Sequence, residues 1–360
     1  MKEKAFVPKY KSIYMDMARK IQSGEFPAGS RLPYERELCA QYGVERVTIR
    51  HALQLLEEDN LIQKQAGRGS FVSGPAAQPA PLHQSILFAM NRSYDIRSIG
   101  EFNSKMFFRM EDVCHRHGCS LMYAGIKDSG EHITGLEDGP VAGVLLVSRH
   151  SDALVEEVAA SGTPVICVNH FSPRVQCVMP DNMSGVREAV ARLRAWGHER
   201  IGFISGPLTF INAQERLAAF RHGLWENGLP IDERLIVESD WTYEGGVQAM
   251  KEIMGAGEPP TAVCTASDMM AIGAIEAARQ LGLRVPEDLS VVGFDNIDMG
   301  LYCAPSLTTV SVDAQQIAVV AVEALLRFRQ EKPTPADRYV IRVPARLVER
   351  ASAGPVPARA

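Results

Sequence analysis

Apolar positions recur along this chain with two different periods, and the change from one to the other marks its organisation. Near the amino terminus Tyr10, Ile13, Tyr14, Met17 and Ile21 return at the spacing of one helix face. The stretch EFPAGSRLP, with two prolines and a glycine, breaks that helix. YERELCAQY predicts a short second helix ended at Gly43, where a left-handed cap costs least. A third helix is predicted from about Glu45 to Glu58, with Ile49, Ala52, Leu53 and Leu56 facing inward and Arg46 and Arg50 on another face. LIQK and SFVS read as short strands joined by the glycine-bearing turn QAGRG.

The pattern then lapses. GPAAQPAPL, residues 74–82, carries Pro75, Pro79 and Pro81 and reads as an extended spacer. It divides a domain over 1–73 from a larger one over 85–350, with 74–84 as linker and 351–360 as a flexible tail. In the larger span the short runs ILFAM, SLMYA, VLLVS, PVICVN, IGFIS, TAVCTA and LSVVGFD alternate with helical patterns. Ser184–Trp196, Asn212–Asn227, Glu244–Met254 and Asp268–Leu281 are among those helices. Strands alternating with helices of that length predict an α/β fold of parallel sheets covered on both faces, and roughly 270 residues predict two lobes.

Composition excludes several classes. Hydrophobic residues make up 46% and charged residues 22%, as in ordinary globular chains. No apolar run approaches the ~18–20 residues of a membrane span, and the first residues do not read as a secretory signal, so a cytoplasmic protein with no membrane partner is expected. Seven scattered cysteines do not form a disulfide framework. Cys114-His115-Arg116-His117-Gly118-Cys119 matches no familiar zinc spacing and reads as a helix end with Cys114 inward and the histidines solvated; no metal is expected. The net charge of −5 is unevenly spread. Residues 1–75 hold 12 Lys+Arg against 9 Asp+Glu, which leaves 26 against 34 in the remainder. A basic module joined to an acidic one is the implication.

The basic module has the parts of a DNA reader. A short helix, a glycine turn and a second helix with arginines at its start describe a helix-turn-helix, whose second helix fits the major groove. Arginine's planar fork matches guanine or a phosphate, and the hairpin places Arg68 at a wing tip where glycines allow close backbone approach. The span 8–73, including PAGSRLPYERELCAQYGVERVTIRHALQLLEEDNLIQKQAGRGSFV, resembles the winged-helix domain of GntR-type regulators. That resemblance implies DNA contacts at Arg36, Arg46, Thr48, Arg50, Gly67, Arg68 and Gly69. Tyr34 stands where the family usually has a small serine, and Glu45 where it usually has Ser or Thr. A carboxylate at 45 either repels phosphate or accepts a hydrogen bond from cytosine N4; the second is the expectation.

The acidic module carries no Walker loop, nucleophile elbow or dinucleotide fingerprint, so an enzyme is not expected. Polar residues instead mark strand ends: Arg149, Asn169, Asp268 and Asp295. Ligands of open α/β sheets bind beyond the carboxyl ends of strands, so these residues can share one cleft. Carboxylates and a guanidinium suit vicinal hydroxyls, and Trp241 offers an apolar face to a sugar's C–H surface. Four stretches, PDNMSGVREAVARLRAWGHERIGFISGP, ERLAAFRHGLWENGLP, TAVCTASDMMAIGAIEAARQLGLRVPEDLSVVGFDNID and PSLTTV, resemble the effector domain of LacI/GalR repressors, relatives of periplasmic binding proteins. The resemblance implies effector contacts at Arg216, Trp241 and Asp295. Ser267 departs from the family's frequent asparagine, and Tyr94 and Phe102 are first-lobe candidates.

The combination is similar to the AraR type of arabinose-responsive repressor. It implies a two-lobed, periplasmic-binding-protein-like receptor of two parallel doubly wound sheets behind a small α+β winged helix-turn-helix domain. The lobes are expected at about 85–179 plus 312–337 and 180–311 plus 338–350. The expected function is a homodimeric repressor of carbohydrate-utilisation genes, released from double-stranded operator DNA by a small sugar. The alternative is a corepressor-dependent repressor answering to a nucleoside, purine or phosphorylated metabolite. No cofactor beyond the effector is expected.

Overall fold

The structure, a computed structural model, describes residues 9–22, 24–27, 29–58, 61–65, 69–72, 85–91, 100–126, 133, 136, 141–331, 334 and 338–356. Gly67, Arg68, Tyr94 and the linker 74–84 lie outside the described residues. The chain divides into two units, 1–81 and 82–360.

In the first unit α1 (Lys9–Gln22), α2 (Glu35–Tyr42) and α3 (Arg46–Glu58) precede a hairpin of β1 (Ile62–Gln65) and β2 (Gly69–Val72). Met17, Leu38, Ile49, Ala52, Leu56 and Ile62 are buried together, as the helical spacing requires. Gly43 adopts φ +62 at the end of α2, a left-handed turn that lets α3 leave at once. Leu32 and Val72 exchange backbone bonds with Ser70 and Ser30, which adds a third extended segment to the hairpin.

The second unit holds two six-stranded sheets. Its elements are β3 (Ser85–Asn91), α4 (Glu101–Arg116), β4 (Ser120–Ile126), β5 (Gly143–Val147), α5 (Asp152–Ala160), β6 (Val165–Val168), β7 (Gln176–Pro180) and α6 (Asn182–Ala195). There follow β8 (Ile201–Ser205), α7 (Ile211–Glu226), β9 (Ile236–Glu238), α8 (Tyr243–Gly255), β10 (Ala262–Thr265), α9 (Asp268–Gln280), β11 (Ser290–Asp295) and α10 (Met299–Tyr302). Last come β12 (Thr308–Val312), α11 (Ala314–Gln330), β13 (Val340–Val343) and β14 (Ala345–Val348). One sheet runs β4-β3-β5-β6-β7-β13 and is parallel throughout. The other runs β9-β8-β10-β11-β12-β14, parallel except for its antiparallel edge β14. Strand order reverses beside β3 in the first sheet and beside β8 in the second, and such switch points open a crevice at the carboxyl ends of the strands. Ser151, Asp181, Thr242, Ser267 and Asp313 cap the following helices through side-chain bonds to backbone N–H groups, so polar residues gather where strands end.

The chain crosses between sheets at 180–182, 312–314 and 343–345. The third crossing corrects the lobe boundary expected at 338: Val340–Val343 pairs in parallel with Cys177–Pro180 in the first sheet. A short alternating strand gives no sign of which sheet it joins, because either edge satisfies its backbone. Cys114 lies inside α4, where burial pushes its thiol up to about 12, while His115 and His117 are exposed.

Residues 351–356 are not the flexible tail expected. Ser352 is fully buried; its hydroxyl donates to the Val291 carbonyl at 2.7 Å and accepts from the Thr308 amide at 2.8 Å. Val356 N–H reaches the Trp196 carbonyl at 2.9 Å. Deleting residues 351–360 is expected to destabilise the chain by about 2–4 kcal/mol, the cost of several buried groups left unpaired. Urea unfolding of the truncated chain checks this, and an unchanged midpoint would contradict the packing.

Candidate functional site

The first unit presents cations on α2 and α3. Glu45 accepts backbone bonds from Thr48 and Ile49, so it stands at the helix cap with its side chain exposed, where a carboxylate complements the helix dipole. Arg46, Arg50 and Arg36 are exposed, Thr48 is half-buried, and Gly69 closes the described part of the wing at φ +106. Arg36 makes no ion pair among the described residues. The carboxylate that meets the arginines is Glu35, not Glu45: it accepts from Nε of Arg46 at 2.5 Å and from Nε of Arg50 at 3.1 Å. The two guanidinium groups hold Glu35 below its usual carboxylate pKa against the opposing effect of burial.

In the second unit the site grows from Arg216 on α7. Its guanidinium is buried and lies 3.6 Å from the Phe294 ring centroid. Nε donates to Asn182 Oδ1 at 2.9 Å and Nη1 to the Ala266 carbonyl at 2.5 Å. Asp295 stands 3.6 Å away as counter-ion, at the carboxyl end of β11. Burial raises Asp295 to about 6 despite Arg216, and burial draws Arg216 down despite the carboxylates of Asp295, Glu215 and Asp268. A pair at that distance compensates its own desolvation poorly. A molecule that donates to Asp295 and accepts from Arg216 relieves both, and a vicinal diol has that chemistry.

Trp241 supplies a wall. Its ring lies against Gly206, where a Cβ would collide with the indole, and Phe210 meets it edge-on at 5.9 Å. Ser148, Asn169, Trp241, Asp295 and Asn296 are the non-glycine residues at positive φ among the described residues. Each follows or ends a strand at the cleft, where strained backbone is characteristic of binding sites.

The expected residues do not all arrive together. Arg216, Trp241 and Asp295 share one wall in the second lobe. Asn169 joins them across the cleft, accepting from Asn212 Nδ2 on α7 at 2.8 Å. Arg149 follows β5 on the first lobe, exposed, and its charge holds His170 down in pKa behind the larger effect of burial. Asp268 is buried beneath the cleft rather than in it: Oδ1 accepts from the Thr309 hydroxyl at 2.5 Å and Oδ2 from the Ile297 amide at 2.8 Å. Phe102 lies on α4, partly buried against the core. Phe294, Asn182, Asn212, Glu215 and Arg342 went unnoticed in the sequence. The first four lie in or beside stretches already singled out, but nothing local distinguishes a polar residue that supports an arginine from a solvated one. Asn182 Nδ2 donates to Asn212 at 3.0 Å and to Glu215 at 2.7 Å, and Arg342 grips Glu215 with both Nη groups at 2.8 and 2.6 Å.

Comparison with known proteins agrees with both units. The family of bacterial regulatory proteins called gntR matches residues 9–72, and the periplasmic binding protein-like domain matches residues 190–353. The transcriptional repressor CytR of Escherichia coli K12 is 38% identical over 190 residues, 52% of this chain and 55% of that protein. The transcriptional regulator MalR of Streptomyces coelicolor is 38% identical over 234 residues, 62% of this chain and 67% of MalR. The chain belongs to the LacI-type regulators. It thus spans about half the length of CytR and two thirds of MalR. The lac repressor dimer bound to operator and the anti-inducer ONPF superposes with a TM-score of 0.67 at 25% identity, covering 76% of this chain and 95% of that one. In this LacI-type chain the gntR match lies within the unit 1–81 and the periplasmic binding protein-like match within the unit 82–360.

The buried Asp268 makes a pH prediction. Burial, and next the charge of Asp295, raise it from 3.8 to about 8. The unfolded chain therefore releases this proton near pH 4 while the folded chain keeps it to about pH 8, so its contribution to stability falls as pH rises through that window. Asp268→Asn mimics the protonated acid and is expected to lose less stability than the wild type between pH 5 and pH 8. Urea unfolding at both values checks it; parallel losses would contradict the assignment.

Proposed function

We propose that this chain is a ligand-controlled transcriptional repressor, acting in the cytoplasm as a homodimer, whose effector is a small sugar. The observation that carries the reading is the pairing of Arg216 with Asp295 beside Trp241, in a chain whose separate first unit exposes Arg36, Arg46 and Arg50. The reader supplies affinity through phosphates and specificity through bases of operator DNA. The relatives' names support regulation of transcription, and the lac repressor complex supports a dimer on operator DNA. Exposed apolar side chains support self-association: Phe108 on α4, Met122 and Tyr123 on the edge strand β4, and Leu301 and Tyr302 on α10. Among the described residues no helix is long and apolar enough to cross a membrane. This reading requires binding that differs between two arrangements of the lobes. Asn169, Arg149 and the second-lobe wall would each meet the effector in the arrangement that binds it best.

Thermal unfolding against a panel of pentoses and hexoses is expected to single out a stabilising sugar, since a ligand of the folded state raises its stability by mass action. That sugar is expected to weaken binding to a DNA sequence selected from a randomised pool by about tenfold or more, while Asp295→Asn binds the DNA as before and ignores the sugar. DNA affinity indifferent to every sugar would overturn the inducer reading, and tighter binding with ligand would make it a corepressor.

Sugar affinity carries its own pH signature. Asp295 accepts two hydroxyl hydrogens only when ionised, and burial pushes its carboxyl up to about 6 against the charge of Arg216. Affinity is expected to rise from pH 5 to pH 7 and then level, with no such step in Asp295→Asn; titration calorimetry at three pH values reads this directly.

A further inference from the structure

The first turn of α2 contains two carboxylates with different tasks. Glu37 is spent on the helix itself, accepting from the Tyr34 amide at 2.8 Å in a capping box. Glu35 faces the other way, to α3. Its Oε2 takes Arg46 Nε at 2.5 Å and Arg50 Nε at 3.1 Å, and its Oε1 lies 3.2 Å from the same Arg50 nitrogen. The Arg46 and Arg50 side chains remain 67% and 58% exposed while Glu35 is 28% exposed. Both bonds engage Nε, at the stem of the fork. The Nη groups make no hydrogen bond among the described residues, and the side chains that carry them are exposed.

Exposed ion pairs of this kind add little to stability, so their consequence lies in what the arginines can reach. An arginine held at Nε offers only its Nη pair, which matches O6 and N7 of guanine end-on. To swing to a backbone phosphate instead, it must leave Glu35. The carboxylate also leaves the trio with one net positive charge rather than two, which weakens attraction to any duplex whatever its sequence.

We propose that Glu35 is a specificity-determining positioning residue: it aligns Arg46 and Arg50 for base edges and competes with phosphate for them, so that binding to unselected DNA is suppressed more than binding to the operator. This inference rests on the DNA-reader reading of the first unit.

The test uses the full chain, a mixed-sequence 40-bp duplex of about four helical turns, and the sequence that the wild type enriches from a randomised pool of that length. Glu35→Gln keeps the shape and removes the charge. It is expected to bind the mixed-sequence duplex about tenfold more tightly at low salt, with a log affinity against log salt slope steeper by about 0.9, one further phosphate neutralised. Preference for the enriched sequence falls correspondingly, while the thermal midpoint stays within a degree or so of wild type, as for other exposed pairs. Glu35→Asp restores the wild-type slope because the charge returns. An unchanged slope and preference in Glu35→Gln overturns the proposal. So does a parallel loss of affinity for both duplexes with a lowered midpoint, which marks a purely structural residue. Failure of the wild type to enrich any sequence overturns the DNA-reader reading itself, and is seen before any variant is made.

Discussion

A guanidinium with almost no water around it organises the receptor. Arg216 is 5% exposed, and an unpaired charge so placed is costly, so the elements around it are arranged to meet it. α6 contributes Asn182, the end of β10 the Ala266 carbonyl, and β11 both the Phe294 face and the Asp295 carboxylate. These partners satisfy the group without saturating it, since Asp295 stays at 3.6 Å and is itself raised toward neutrality by burial. That incompleteness is the feature on which the proposed effector site rests. A ligand that completes it gains more than the same contacts would yield in water, because the protein has already desolvated both charges.

The same arginine ties the cleft to the crossings between lobes. Asn182 begins α6 immediately after the first crossing, and it bonds Arg216, Asn212 and Glu215 at once. Asn212 reaches Asn169 on the first lobe, and Glu215 is gripped by Arg342 on β13, close to the third crossing. Lys105 and Glu101 on α4 add bonds to Asp298 on the far side. Polar groups in this chain cannot shift singly without leaving a partner unpaired. In the proposed reading, an effector that changed how Arg216 is satisfied would act on groups that also fix how the lobes meet.

Much of this was legible in residue order. Helix α3 and its inward stripe followed from Ile49, Ala52, Leu53 and Leu56, because a period near 3.6 has one packing solution in a small domain. The alternation of apolar runs and helices gave the parallel sheets, and Asp295, expected at a strand end, is the last residue of β11. Asp268 shows the limit: it too follows a strand, yet its place as first residue of α9 turns it inward onto Thr309 and Ile297. Asp295 ends its strand, whereas Asp268 comes three residues after Thr265, the last of β10, and that short distance along the turn buries its carboxylate. Residues 351–356 show the same limit, since alanine, serine and glycine read as a tail until a neighbouring strand offers its unpaired backbone groups.

By itself, then, the sequence determined which segments are helix or strand, that two unlike modules share the chain, and where cations concentrate, because periodicity and composition are local properties. Only the tertiary structure decided which carboxylate meets which arginine. Glu45 is next to Arg46 in sequence but caps α3 with its side chain in solvent, whereas Glu35, on another helix, takes both guanidinium groups. Likewise Arg216 finds Asn182, Ala266 and Asp295 from three distant segments. Hydrogen bonds and charge pairs act over a few ångströms of space, and chain order fixes those distances only after the fold has closed.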